Sequence, residues 1–152
     1  MADCETSVAP FSDHRRAIVR LSAQYLLRTL DIAKRVHTDD AVRAIIFTAI
    51  WSANVSHIRS KSGFDGVDDL PSDEHRRPVT VSRIAQLVGM PAETVRRYVL
   101  RLINDGVCQR LGRKGVIVPA SVFLREDMLD CLEQHLALTT RFQKSLSQLT
   151  NP

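Results

Sequence analysis

Apolar residues recur at helical spacing through most of the chain. Ile18, Leu21, Tyr25, Ile32 and Val36, with Val19, Leu26, Leu30 and Ala33 beside them, form one broad stripe. They predict a long helix from a Ser12 cap to about Val36. Arg15, Arg16, Arg20, Arg28, Lys34 and Arg35 fill the remaining positions, and Arg15-Arg16 reads as a solvated face. A stripe this broad on a terminal helix serves either a core or a dimer seam. His37-Thr38-Asp39-Asp40 interrupts the pattern and recaps a second helix from Ala41 to about Ser60. Ile45, Ile46, Phe47, Ile50 and Trp51 leave that helix almost no polar face, so it is the expected central helix, with Trp51 in the core. Near the other end Leu129, Leu132, Leu136, Phe142, Leu146 and Leu149 predict a closing helix from Ser121 to about Leu149.

Between these helices the pattern changes period. Thr80 can cap a short helix to Val88, whose apolar side is Ile84, Leu87 and Val88 with the small Ala85. Gly89 can end it in a left-handed conformation. Pro91 opens a further helix, where its missing N–H costs nothing. Val95, Tyr98, Val99, Leu102 and Ile103 lie on one side of that helix, and Glu93, Arg96, Arg97, Arg101 and Asn104 largely on the other. Asp105-Gly106 closes it. Val107 to Leu111 and Val116 to Pro119 then read as two strands joined by Gly112-Arg113-Lys114-Gly115.

The carriers Ile84-Ala85, Leu87-Val88-Gly89, Thr94-Val95-Arg96-Arg97, Leu102, Gly106 and the Gly112–Gly115 turn make Thr80 to Pro119 similar to one known family. That stretch resembles the winged helix-turn-helix of bacterial transcription regulators, MarR/GntR-like, with no subfamily assigned. In that family a small residue, a glycine four positions on and a valine six further recur as Ala85, Gly89 and Val95 do here. Members often carry Ser or Thr where Pro91 stands, and the turn is shorter than in many MarR-type wings. The resemblance implies a mainly α fold: a winged helix-turn-helix with a small β-hairpin wing and long N- and C-terminal helices. It divides the chain into a tail and dimerisation helix (1–38), the winged domain (39–120) and a C-terminal dimerisation helix (121–152).

Charge agrees with that reading. The whole chain carries only +4, but residues 76–125 hold ten Arg or Lys against Glu93 and Asp105, a local surplus of eight. A polyanion needs such a face. Double-stranded DNA is therefore the expected partner, bound by a homodimer, with Ala92, Glu93, Thr94, Arg96 and Arg97 placed for base edges. Thr94, Arg83 and Arg101 are placed for the backbone, and Arg113 and Lys114 for a flanking phosphate or a minor groove. A small-molecule effector would have to bind between the dimer helices and the DNA-binding lobe. The rivals are a winged domain that binds protein, and a replication or partition factor using the same contacts.

Other features change the picture little. Lys61 to His75 is a loop with Asp65, Asp68, Asp69, Asp73 and Glu74, and it lacks the alternating ligands of a calcium loop. Cys4, Cys108 and Cys131 form no disulfide framework or zinc spacing, which favours a reducing, cytoplasmic setting. Cys131 and His135 share a helix face, but two ligands do not make a metal site. Cys108 reads as a small core residue. No cofactor, metal or catalytic group is expected, no nucleophile–base or phosphate-loop motif occurs, and neither a signal peptide nor a membrane span is read.

Overall fold

The computed structural model describes residues 13–58 and 70–150. The expected tail before Pro10, the Ser12 cap, Cys4, the end of the second helix near Ser60 and the first acids of the loop lie outside them. The elements are α1 (Asp13–Arg35), α2 (Ala41–Val55), α3 (Val81–Val88), α4 (Ala92–Asn104), β1 (Gln109–Arg110), β2 (Val116–Ile117) and α5 (Glu126–Thr150). The molecule is mainly helical with a small antiparallel sheet, and no described helix is long and apolar enough to cross a membrane.

A lobe of α2, α3, α4 and the sheet holds the core. Ile46 and Ile50 of α2, Ile84 of α3, Val95, Val99 and Leu102 of α4, and Val116 and Val118 are all essentially inaccessible. They come from the predicted apolar sides, so the helical periodicity placed most of the core. Two residues depart from it. Leu87, expected on the buried side of α3, is 48 % exposed, and Ile45 on α2 is 37 % exposed. Both line an open groove between α2 and α3, so α2 is not apolar-packed all round. Trp51 is half-buried and bounds a cavity at the core's edge, short of the central position expected for it.

The sheet is shorter than the sequence predicts, and the hydrogen bonds show why. The amides of Val107 and Cys108 both donate to the Leu102 carbonyl, closing α4 and leaving nothing to pair there. On the other strand the Val118 amide goes to the Asn54 side chain, and Pro119 has no N–H to give. Pairing is confined to Gln109 with Ile117 and Arg110 with Val116. Val79 adds a bridge on the far side of Val116, through reciprocal amide–carbonyl bonds of 3.0 and 2.9 Å.

The closing helix begins later than Ser121. Ala120–Leu124 forms a 3-10 turn that buries Val122 and Phe123, and the chain extends at Arg125 before α5 starts at Glu126. Asp73 accepts the Ala120 amide at 2.7 Å and reaches Arg76 at 3.6 Å, so this loop acid is structural instead of merely solvated. Residues 73–75 themselves form a 3-10 turn, with the Ser72 hydroxyl 2.8 Å from His75 Nδ1.

Helices α1 and α5 run antiparallel as an arm. Tyr25 stacks on Phe142 with ring centres 4.5 Å apart, and its hydroxyl meets Thr139 Oγ1 at 2.9 Å. Thr139 donates its own proton to the His135 carbonyl, so Tyr25 is the donor between the two hydroxyls. No residue of α1 is fully buried. One edge of the arm is apolar: Ala33 and Leu132 line a cavity there, with Val19, Leu26, Leu129 and Leu136 exposed along the two helices. The other edge is polar, with Arg28, Asp31, Gln134 and Arg141 along a shallow groove.

Candidate nucleic-acid interface

The pair α3–α4 is built by local chemistry. Thr80 caps α3, its hydroxyl accepting the Arg83 amide at 3.3 Å. Gly89 ends α3 at φ +66°, a value that an L side chain adopts only with strain. Pro91 stands at the cap of α4, one position earlier than predicted, so Ala92 is the first helical residue. Proline offers no side-chain cap, which leaves the first amides of α4 without a side-chain acceptor. Such amides and the helix dipole favour an anion at that end.

Arginines occupy the outer side of α4. Glu93, Arg96 and Arg97 form one cluster: Arg96 grips the Glu93 carboxylate through two bonds of 2.8 and 2.7 Å, while Arg97 reaches it only at 3.9 Å. The Arg96 bond holds the Glu93 carboxyl below the usual range, and Glu93 in turn raises Arg96. Arg96 is thus engaged at rest, and Arg97 is the more available of the two. Arg101 lies over the Tyr98 ring, 5.3 Å from its centre. Thr94 is half-buried and Ala92 exposed. On α3, Arg83 is exposed and reaches Gln86 at 3.4 Å. Arg113 and Lys114 are exposed at the hairpin tip, which is closed by Leu111 and Gly115.

Two of the ten cations are engaged away from α4 and the hairpin tip. Arg76 is only 4 % exposed, donates to the Pro71 carbonyl and lies 5.2 Å from the centre of the Phe123 ring. Burial lowers its pKa, and Asp73 opposes that. Arg125 pairs with Asp127 at 3.4 Å. Conversely, Leu100 stands 36 % exposed on the outer side of α4, and Arg110 is exposed on β1. Leucine content alone assigns Leu100 to a core, but its place between Arg96 and Arg101 on the wheel was legible.

Buried polar residues hold the lobe behind this surface. Asn54 is inaccessible and fully used: its amide donates to the carbonyls of Arg77 (2.7 Å) and Val116 (3.1 Å), and its oxygen accepts from the Val118 amide (2.9 Å). Arg43 donates to Asp105 at 2.5 Å, tying α2 to the C-terminal cap of α4. Neither residue stood out in the sequence.

Cys131 and His135 are both half-buried on α5, and among the described residues no three His, Cys, Asp or Glu side chains gather as a metal would require. Burial pushes the Cys108 thiol up to about 12, with Arg43 opposing, and raises Cys131 as well, helped by Asp127. Neither is an activated nucleophile. No protein-family model matches the chain, and neither a curated protein nor a solved structure matches it.

Proposed function

We propose that the chain is a sequence-specific double-stranded DNA-binding transcriptional regulator acting as a homodimer, without catalytic activity. In this reading α3 and α4 are a helix-turn-helix, α4 enters the major groove, and the β1–β2 hairpin is the wing. The observation that carries it is the outer side of α4: an uncapped N-terminus followed within three turns by exposed Arg96, Arg97 and Arg101. Arg83 and the Arg113–Lys114 tip add cations on the flanking elements. Phosphate neutralisation would supply most of the affinity, and Arg97 would read a base edge.

The apolar edge of the arm supports the dimer. Leu26 and Leu136 are 65 % and 58 % exposed, and an arm of two helices buries only the stripe between them. A second arm laid on that edge completes a four-helix bundle.

Selection from a random DNA pool tests the whole reading. A pseudo-palindromic site bound with steep salt dependence is expected. The exposed Ile45 and Leu87 in the α2–α3 groove favour a protein-binding module instead, and that reading gains if no DNA is retained and affinity is insensitive to salt. A site confined to an origin or partition locus would reassign the same contacts to replication or partition.

A further inference from the structure

We propose that the outer half of the α1–α5 arm carries a second contact surface for double-stranded DNA, one that binds the phosphate backbone and reads no sequence. Charge is segregated along the arm. Its outer half, residues 13–30 and 137–150, holds Arg15, Arg16, Arg20, Arg28, Arg141 and Lys144 against a single acid, Asp13. The half nearer the lobe, residues 31–35 and 126–136, has five acids against Lys34 and Arg35. The balance of the whole chain hides this surplus, because the acids of the inner half and of the loop before α3 offset it.

Three of the outer cations converge. Arg28 of α1 and Arg141 and Lys144 of α5 line one open groove of about 410 Å³, and no Asp or Glu lines it. All three are exposed and make no ion pair among the described residues. Asp31, further along the same edge, is already held by Lys34 at 3.2 Å and Arg35 at 2.5 Å. Arg20, exposed two turns before Arg28 on that side of α1, extends the row by about 12 Å. Solvated cations in an open groove gain little from a small anion, whose charge stays in water. A polymer of phosphates gains at every cation, because each contact releases a counterion. A single strand would need free ring faces on which to stack its bases. The rings in this groove, Tyr25 and Phe142, are half-buried and stacked on each other, so a duplex backbone fits better. In the proposed dimer the arms meet through the opposite, apolar edge, which leaves this surface open. The inference goes beyond the α4 reading and does not rest on it.

A duplex of about 30 random base pairs, titrated against the full chain by fluorescence anisotropy between about 50 and 200 mM salt, tests it. Replacing Arg28, Arg141 and Lys144 together with Gln should weaken binding at least about tenfold and flatten the slope of log affinity against log salt by about 2–3. Arg28→Lys with Arg141→Lys keeps the charge and should behave as the parent chain. Substituting Arg97, Arg101, Arg113 and Lys114 with Ala should leave residual, salt-dependent binding that the three Gln substitutions then remove. Circular dichroism and sedimentation of each variant should match the parent. The proposal is overturned if the Gln variant keeps the parent's affinity and salt slope, whether or not the Ala substitutions abolish binding. It is also overturned if the parent chain retains no duplex, or if equimolar inorganic triphosphate displaces the arm-dependent part, which would mark a small-anion site. Loss of binding in the Gln variant, with the Ala substitutions silent, would keep the arm surface and remove the recognition-helix reading.

Discussion

Asn54 shows how much of this lobe rests on single polar side chains. Its three bonds join the end of α2 to the Arg77 carbonyl and to both sides of β2, across 23 to 64 residues of sequence. Replacing it with Leu leaves the Val118 amide buried and unpaired, which costs about 3 kcal/mol. Urea denaturation of Asn54→Leu against the parent chain measures that loss; a change within error would mean the amide finds another partner. His37 gives a prediction in pH. Its imidazole titrates at 6.5 when unfolded and at about 4 when folded, so the unfolded chain binds more protons between those values. Stability is therefore full above pH 6.5 and declines as pH falls toward 4, by on the order of 2 kcal/mol from this residue. His37→Phe should flatten that part of the curve, and an unchanged slope in the variant would assign the loss to other groups.

In the proposed DNA-binding reading, helix α4 and the hairpin would divide their work by stiffness. Arg97 projects from a helix whose inner side is locked by Val95, Val99 and Leu102, so the backbone that carries it is held in place. Arg97→Ala should cost roughly 1–3 kcal/mol on a specific DNA site and relax preference at one base position. Replacing Arg113 and Lys114 should weaken specific and non-specific DNA alike and flatten the salt slope by about one per lost phosphate contact. If Arg97→Ala leaves the specific-to-non-specific ratio intact, that side chain is not reading sequence. The hairpin's seat is a matter of backbone. Gly115 lies at φ +129°, and a Cβ there would run into the Val79 carbonyl that accepts the Val116 amide. Gly115→Ala should cost more than about 1 kcal/mol and raise hydrogen exchange at Val116. Turn chemistry made this glycine legible as a turn residue. Its second role, admitting Val79 to the sheet edge, required the fold.

At the scale of the molecule, the proposed dimer rests on the arm. Val19, Leu26, Leu129, Leu132 and Leu136 lie on the edge opposite Arg28 and Arg141, so association through it brings leucines together and keeps the cations in solvent. Leu26→Glu combined with Leu136→Glu should convert a dimer to a monomer in analytical ultracentrifugation at micromolar concentration, with the lobe still folded by circular dichroism. A parent chain that sediments only as a monomer would remove the basis for the dimer.

By itself the sequence determined the helices, the caps Thr80 and Gly89, and the inner side of α4, because these follow from periodicity and backbone sterics over a few residues. The boundaries of the strands and of α5 escaped it: the Leu102 carbonyl, the Asn54 amide and the Asp73 carboxylate compete for the amides that would have extended them. The basic segment was legible as charge, but one of its cations, Arg76, was committed by the fold to the inside, under Phe123. Tertiary structure alone set Thr29, His37 and Trp51 around one cavity, because a helix stripe states which residues face inward and not which neighbours from other helices will fill the space beside them.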